Sequence, residues 1–256
     1  MKNKLFPILF AFPVTAGLCA ATLRASILKH SPEEFSAVTS VMYGLVAVCI
    51  IATLMAVIAA FLLKGGIQFS SGIVSNLLPQ SHGICAAVIL IYAVLSLLPL
   101  RFEFDATKLV LALFSVYCAV ALLVLGKYRL AARDETSYCI FSAVPAFWAC
   151  FMIILAFRDK VSDPIISNYV FLILSYISIL FFCYSLSAHV LGKKRKSFTA
   201  FSCFVGIFFI LTEIFSLLFS GAFATFGVEN VRELLPLVAF LVLIPSATAE
   251  ILRKKD

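Results

Sequence analysis

Charge is what this sequence lacks most. Of its 256 residues, 13% are Asp, Glu, Lys or Arg, whereas soluble domains carry about 25%. Apolar residues make up 63% of the chain, and the mean hydropathy is +1.10. No soluble core could bury so much apolar surface, which excludes an ordinary soluble domain and indicates that lipid is the solvent for most of the chain.

Sequence motifs of known catalytic and metal sites are also missing. The chain contains no Walker motif, no GxSxG, no HExxH and no CxxC pair. Its eight cysteines all lie in apolar runs, and its three histidines (His30, His82 and His189) lie near the ends of different runs. We therefore interpret the cysteines as small packing residues, and we predict no catalytic residue, metal site or cofactor.

Long apolar runs dominate what is present. Each approaches or exceeds the roughly 20 helical residues that cross a bilayer, and none shows the two-residue alternation of a barrel strand. A helix satisfies its own backbone hydrogen bonds in lipid, so we predict an all-α membrane protein, a single integral domain (residues 1–256) with eight transmembrane helices. The eight runs lie at about residues 5–23, 37–63, 83–100, 109–126, 138–157, 165–191, 198–219 and 234–252.

The first run also has a signal-peptide feature, because Lys2 and Lys4 precede it. Pro7 and Pro13 interrupt this run, however, and no clean cleavage site follows. We therefore expect it to remain as the first span. Cleavage is the alternative and would leave seven spans in the same orientation.

Basic residues predict the orientation of the chain in the membrane. Thirteen Lys and Arg lie on the side of both termini and seven on the other side, so the positive-inside rule places both termini in the cytoplasm. The position of these bases at run ends also accounts for the net charge of +7 without a nucleic-acid partner. The seven are Arg24, Lys29, Arg101, Lys108, Arg158, Lys160 and Arg232.

The two halves of the chain resemble each other weakly. Pro13 and Pro145 are 132 residues apart, and so are Pro32 and Pro164. This spacing favours two parallel four-helix repeats, residues 1–130 and 131–256, related by an axis along the membrane normal. Because apolar sequences also align by chance, unrelated halves are the alternative.

The longest inner loop, residues 64–82, has an apolar pattern of its own. Phe69, Ile73 and Leu77 recur at helical spacing, which predicts a short interfacial helix that ends near Pro79. Three glycines in the same segment weaken a helix, so a plain connector is the alternative.

Glu213 is the only acid well inside a run, about 9 Å from the end of that run at 1.5 Å per residue. An acid in the membrane is costly and avoids lipid, so it is a candidate functional residue. Helical spacing places it on one stripe with small and polar residues, which suits packing inside a bundle. The other members of the stripe are Ser202, Gly206, Ser216 and Ser220.

Two tyrosines of the preceding run, Tyr169 and Tyr176, share one helical face, and Tyr169 lies at a depth similar to that of Glu213. We predict that Tyr169, Tyr176 and Glu213 meet in a polar pocket open to the outer side, with Arg158 at its rim, and that this pocket binds a ligand. The alternative is that Glu213 is protonated or hydrogen-bonded and only holds helices together.

Four further residues are predicted to have structural roles. Asp163 is suited to cap the following helix, with Pro164 at the first helical position and Arg158 paired with Asp163 across the turn. Trp148 lies in the middle of its run near Pro145 rather than at an interface. This indicates a kinked helix with an internal aromatic contact; a platform for a ligand is the alternative.

One pattern of the second half consists of Pro145-x-Phe147-Trp148, Arg158, Asp163-Pro164, Tyr169, Tyr184 and Gly192, followed by a basic turn and a Phe-rich run. This pattern resembles a family of uncharacterised eight-span membrane proteins from Gram-positive gut anaerobes. The resemblance covers mainly residues 140–220, and members often carry Asp near the position of Glu213, where this chain has the longer carboxyl side chain. It implies a bacterial membrane protein and no particular activity.

Together these features predict a transport-like or small-solute-binding permease that uses the pocket around Glu213. The first alternative is a membrane scaffold or accessory subunit with a partner membrane protein, and the second is a lipid-modifying enzyme. A permease needs a water-accessible cavity lined by polar groups. A scaffold needs a solid interior and a free face, and an enzyme needs at least two converging titratable groups.

Overall fold

In a computed structural model, the chain forms a bundle of long helices. The structure describes residues 2–29, 35–66, 71–97, 106–128, 136–160, 169–193, 195–221 and 228–253. These residues contain eight helices: α1 (Lys2–Lys29), α2 (Phe35–Leu62), α3 (Ser71–Leu97), α4 (Ala106–Lys127), α5 (Thr136–Lys160), α6 (Val170–Val190), α7 (Lys196–Phe219) and α8 (Val228–Leu252).

All eight of these helices contain a segment that is long and apolar enough to cross a membrane. The segments have 20–24 residues, and their mean hydropathy lies between 1.4 and 2.9. Their length meets the requirement of roughly 20 helical residues for the hydrocarbon layer. The predicted fold class, an all-α membrane protein with eight spanning helices, is thereby confirmed in the described part of the chain.

The helices run alternately up and down, so the bundle has two ends. At one end Leu63 follows α2 and shares an apolar cluster with Ala200, near the start of α7, and Leu252, at the end of α8. At the other end the last residue of α5, Lys160, pairs with Glu233 near the start of α8 at 3.1 Å. We call the first the terminal end, because the N- and C-terminal helix ends lie there, and the second the distal end.

Helices α3 to α8 supply the largest apolar cluster, and α7 is the most buried helix of the bundle. The pair α1–α2 packs on α7 from outside, through two smaller clusters. Only 28% of the spanning segment of α2 is buried, against 67% for α7. The exposed side of α2 is almost wholly apolar, with Ile50, Leu54 and Phe61 more than half exposed, as expected for a surface solvated by lipid.

Close contact between α1 and α7 depends on a glycine. A Cβ added to Gly17 would lie 3.1 Å from both the Leu211 Cβ and the Phe208 carbonyl oxygen. Small residues allow helix backbones to approach in lipid, where no hydrophobic effect drives helices together. The predicted small and polar stripe of α7 serves the same purpose, since Ser202, Gly206 and Glu213 are buried between neighbouring helices.

Three helix boundaries differ from the predicted ones. The interfacial helix expected to end near Pro79 is instead the first part of α3, which continues through that proline. Pro79 lies about two turns from the start of α3, past the first turn, so its missing N–H removes one backbone hydrogen bond that the helix tolerates. At the other boundaries α1 extends to Lys29 and therefore includes Arg24, and α6 begins at Val170 with Tyr169 as its N-cap residue.

Asp163 and Pro164, predicted to cap and begin α6, lie outside the described residues. The later start of α6 and its N-cap at Tyr169 mean that the capping geometry expected from the sequence is not the one found for this helix. Arg158 Nη2 lies 2.8 Å from Asp159 Oδ1, next to it in sequence, and the expected pairing of Arg158 with Asp163 lies outside the described residues and stays a prediction.

Trp148 has the internal aromatic contacts that the sequence predicts. It is fully buried and stacks on Phe240 of α8 with ring centroids 5.7 Å apart. Its indole Nε1 donates a hydrogen bond to Ser115 Oγ at 3.0 Å. A buried indole needs such a partner, so Trp148 joins α5 to α4 and α8.

Pro145 lies inside α5, which continues on both sides of it. The Ser187 hydroxyl of α6 donates to the carbonyl of Ser142, one turn before the proline. Neighbouring side chains of this kind satisfy backbone groups around an internal proline in the membrane. Pro145 is thereby tolerated in a spanning helix.

The two halves of the chain occupy different surroundings. In the first half, α1–α2 packs on α7, whereas α3 packs on α4 and α8. In the second half, α5 to α8 contact one another in succession. The duplication suggested by the proline spacing stays a prediction.

Candidate functional site

A buried ion pair joins α1 to α7 near the distal end. The Arg24 Nη1 donates to Glu213 Oε2 and, at 2.9 Å, to the Ser216 hydroxyl one turn further along α7. Arg24 is 1% exposed and Glu213 is 3% exposed. Because guanidinium stays charged in proteins, the pair gives Glu213 a fixed cationic partner within the bundle.

An aromatic ring of a third helix completes the surroundings of this pair. The guanidinium carbon of Arg24 lies 4.9 Å from the ring centroid of Phe171 in α6, within the range of a cation–π contact. The Ser216 hydroxyl also donates to the Glu213 carbonyl at 3.0 Å. The geometry is that of an internal ion pair that joins α1, α6 and α7.

A separate cavity of about 70 Å³ lies at the distal end, between α3, α4, α5, α6 and α8. A cavity needs only about 10–15 Å³ to hold one water, so this one has room for several waters or a small solute. Its floor contains apolar side chains, and its rim contains charged ones. The lining residues are Tyr92, Ser96, Thr107, Lys108, Leu111, Met152, Leu155, Ala156, Arg158, Asp159, Lys160, Leu172, Tyr176, Arg232 and Glu233.

The rim has charged residues from the ends of three helices. Arg158 of α5 contacts Thr107 Oγ1 of α4 at 3.2 Å and its neighbour Asp159 at 2.8–2.9 Å. Lys160 of α5 bonds Glu233 of α8 at 3.1 Å. The side chains of these two ion pairs are between 33% and 56% exposed, so the rim is accessible while the floor is enclosed.

Two tyrosines bring polar atoms to the enclosed part of the cavity. Tyr176 is buried, and its hydroxyl donates to the carbonyl of Glu233 over a long 3.4 Å. The Tyr92 hydroxyl lies 3.5 Å from the Met152 sulfur. A thioether is a weak acceptor, and the hydrogen bond of Tyr176 is long. Both hydroxyls therefore keep capacity to bond a solute in the cavity.

A rigid aromatic group supports the floor from behind. Tyr92 meets Trp148 edge to face, with ring centroids 6.4 Å apart, and Trp148 is itself held by Phe240 and Ser115. A site whose side chains are fixed by packing is preformed, which is usual for small-molecule sites.

The structure divides the predicted site residues between these two places. Arg158 and Tyr176 line the distal cavity, whereas Glu213 lies in the ion pair with Arg24. Tyr169 is half-buried at the N-cap of α6 and is not among the residues that line the cavity. Helix α6 borders both places, with Phe171 against Arg24 and Tyr176 in the cavity. The prediction that Tyr169, Tyr176 and Glu213 meet in one pocket is therefore wrong, because only Tyr176 of the three lines the distal cavity.

Sequence reasoning missed Arg24 because the first run was ended at residue 23. With α1 extended to Lys29, Arg24 lies five residues before the end of its helix, and Glu213 lies six before the end of α7. Both helices end at the distal side, so matching depths would have paired the two residues. The same comparison of depth would have grouped Lys108, Arg158 and Arg232, which lie near the distal ends of their helices.

Comparisons of the chain with models of protein families, with curated proteins and with solved structures find no match.

Proposed function

We propose that the protein is a transport-like, small-solute-binding membrane protein and that the distal cavity is its binding site. The observation that carries the proposal is the cavity itself, because it combines an enclosed floor, an accessible charged rim and two tyrosine hydroxyls. A permease needs polar groups that converge on a space reachable from water. Arg158 and Tyr176 are the residues of the predicted site that take part.

Glu213 has a supporting role in this proposal. Its carboxylate is engaged by Arg24 and enclosed between α1, α6 and α7. Through the contact of Arg24 with Phe171, the pair fixes the position of α6. This helix supplies Tyr176 and Leu172 to the cavity. Glu213 thereby acts on the solute site through the helix that forms one wall of it.

The other two functions receive less support. A scaffold needs no polar-lined cavity, and on the described residues no partner-binding surface is distinguished from the apolar faces that lipid covers. A lipid-modifying enzyme needs a group able to move a proton, but both carboxylates of the rim are engaged by cations, Asp159 by Arg158 and Glu233 by Lys160. Binding is therefore favoured over catalysis.

We also propose that the protein resides in the cell membrane with both termini in the cytoplasm, so that the distal cavity faces outward. The excess of Lys and Arg toward the terminal end supports this orientation. The burial of Arg24 in its ion pair with Glu213 strengthens the bias, because it removes one of the seven bases counted on the opposite side from the surface.

The test of solute binding uses purified protein and a panel of small anionic, neutral and cationic solutes. A bound solute raises the unfolding temperature, because it stabilises only the folded state. At a solute concentration of 100 times the dissociation constant, the stabilisation is about 2.7 kcal/mol. We expect at least one solute to stabilise the wild type and to accumulate in liposomes that contain the protein.

A variant that fills the cavity provides the matched comparison. Ala156 lines the cavity, and Ala156→Phe should abolish the stabilisation by that solute. Ile154 lies on the same helix but is 63% exposed toward lipid, so Ile154→Phe should leave it intact. If no solute in the panel stabilises the wild type, or if both variants bind alike, the proposed function is wrong.

A further inference from the structure

The charges that line the distal cavity are unequal. Four cationic residues and two anionic residues contribute to its lining. The two anionic ones, Asp159 and Glu233, form ion pairs with Arg158 and Lys160. Among the lining residues that the structure describes, cations therefore outnumber anions, and Arg232 is one of the four cations.

Arg232 is the cation best placed to bind a solute. It is half-buried at the cavity wall, and within the described residues it makes no hydrogen bond or ion pair. A guanidinium has five donors in a fixed fork that matches a carboxylate or a phosphate group. Partial burial strengthens its attraction for an anion, because water screens the charge less there.

Helix stability explains the position of only two of the four cations. Arg158 and Lys160 lie in the last turn of α5, where cations stabilise the helix end. Lys108, in contrast, lies in the first turn of α4, and Arg232 lies near the start of α8. Helix N-termini carry partial positive charge and favour anions, so the dipole of its own helix does not account for either of these two cations.

Below the charged rim the cavity is apolar. Leu111, Met152, Leu155 and Leu172 line it, and the rings of Tyr92 and Tyr176 lie beside them. A bare, strongly hydrated ion would have to give up water on this side without compensation. A ligand with a charged head and a short apolar body would satisfy both parts.

We infer that the distal cavity binds an anionic group, a carboxylate or a phosphate, that carries a short apolar chain, with the head on Arg232 and the chain between Met152 and Leu172. This inference rests on the proposed function and specifies its ligand class. The same chemistry could come from a free organic anion or from the headgroup of an anionic lipid.

The test compares probes of the same shape and different charge. Butyrate and butyl phosphate are the anionic probes, butyramide is the neutral isostere of butyrate, and butylammonium is the cation. Each is added to protein in phosphatidylcholine nanodiscs, and its affinity is measured from the rise in unfolding temperature. We expect at least one anion to bind about tenfold or more tightly than butyramide, because only the anion gains a charge-assisted bond to Arg232.

Variants of Arg232 test whether this residue binds the anionic group. Arg232→Gln should weaken anion binding about tenfold or more, and Arg232→Lys, which keeps the charge, should retain most of it. Within the part of the chain that the structure describes, the Arg232 side chain makes no hydrogen bond or ion pair that its loss would break, so both variants are expected to fold. Lys127→Gln removes one charge at the terminal end of α4 and should change nothing.

A second set of nanodiscs separates the two sources of the anion. If replacing part of the phosphatidylcholine with phosphatidylglycerol weakens butyrate binding in the wild type but not in Arg232→Gln, the headgroup occupies the same site. If butyrate binding is unchanged, the ligand is a free solute. Either result supports the anionic class.

Failure of this inference differs from failure of the proposed function. If butyramide or butylammonium binds as tightly as the anions and Ala156→Phe abolishes that binding, the cavity is a solute site but the anionic class is wrong. If butyrate and butyl phosphate fail to bind in either lipid, or bind Arg232→Gln as well as the wild type, the inference is also overturned. The proposed function itself falls only if no solute of the complete panel stabilises the wild type, or if Ala156→Phe and Ile154→Phe bind the solute alike.

Discussion

Arg24 and Glu213 place opposite charges inside an apolar bundle. Burying either charge alone in a medium of low dielectric would cost much desolvation free energy, and the attraction between the two charges offsets much of that cost. The Ser216 hydroxyl and the Phe171 ring provide further contacts to the guanidinium. The pair fixes α1 relative to α7, where the close contact at Gly17 also requires a definite register.

Removing one partner of this pair should destabilise the protein strongly. We expect Glu213→Met to lower the free energy of unfolding by about 3–5 kcal/mol, because it leaves a buried guanidinium that keeps its charge. Arg24→Met should cost less, since a lone carboxyl can become neutral by binding a proton. The measurement is unfolding in mixed micelles with increasing sodium dodecyl sulfate.

The double variant Arg24→Met with Glu213→Met should recover most of the loss, because well-packed apolar residues can replace a buried ion pair. Arg158→Met provides the comparison at an exposed pair, with its side chain 51% exposed, and should change stability by less than about 1 kcal/mol. Two single losses that simply add in the double variant would contradict a direct pairing of Arg24 and Glu213.

At this scale the sequence predicted which residues are unusual but not which ones meet. Glu213 stands out because it is an acid in an apolar run, and Trp148 because it lies away from an interface. The partner of Glu213 lies 189 residues away in sequence, and its position in a helix depended on where α1 ends. Helix ends are set by tertiary contacts that a local pattern does not contain.

Helix packing in this bundle depends on individual small residues. Gly126 of α4 faces His82 of α3 so closely that an added Cβ would lie 2.6 Å from the His82 Cβ. Gly83, next to His82 on α3, faces open space, with no atom within 4 Å of its Cβ position. Only Gly126 therefore lies at the contact between α3 and α4, and Gly83 provides the matched control.

We predict opposite effects of alanine at these two positions. Gly126→Ala should force α3 and α4 apart and lower the free energy of unfolding by about 1–3 kcal/mol. Gly83→Ala should be neutral or stabilising by up to about 1 kcal/mol, because alanine favours the helix and meets nothing. Unfolding in the same mixed micelles measures both variants, and equal losses would show that the α3–α4 contact is not the one described.

The existence of all eight helices followed from the apolar runs, because length and hydropathy suffice to define a span. Their ends were less predictable. Pro79 predicts the end of a short helix, although α3 continues through it, and α6 begins at Val170 rather than at Pro164. Proline is a strong stop signal in water, but it is a weaker one in membrane helices, where neighbours can satisfy the freed backbone groups.

At the scale of the whole molecule, the even number of spans places both chain termini at one end of the bundle. Most Lys and Arg lie toward that end, which predicts that it faces the cytoplasm. Reporter domains that are active only in the cytoplasm should therefore work when fused to either terminus. A reporter active only outside the cytoplasm should work when inserted after Lys160. The reverse pattern would invert the orientation and place the cavity on the inner side.

Of the four residues predicted to form the ligand pocket, two share the distal cavity and two do not. Arg158 and Tyr176 line the cavity, but so do Tyr92 and Arg232 from α3 and α8, which no local pattern linked to them. The order of helices around the bundle brings these four residues together. That order is set by which helix faces fit one another, and apolar runs of similar composition do not specify it.

The central claim is that the distal cavity is a water-accessible site inside the bundle, and thiol labelling tests it most directly. Single variants Ala156→Cys and Ile154→Cys lie two residues apart on α5, one in the cavity and one 63% exposed toward lipid. A maleimide needs a thiolate in water, so a membrane-impermeant maleimide should label Ala156→Cys above the background of the native cysteines and should not label Ile154→Cys. Equal labelling of the two variants, or none at position 156, would contradict the claim.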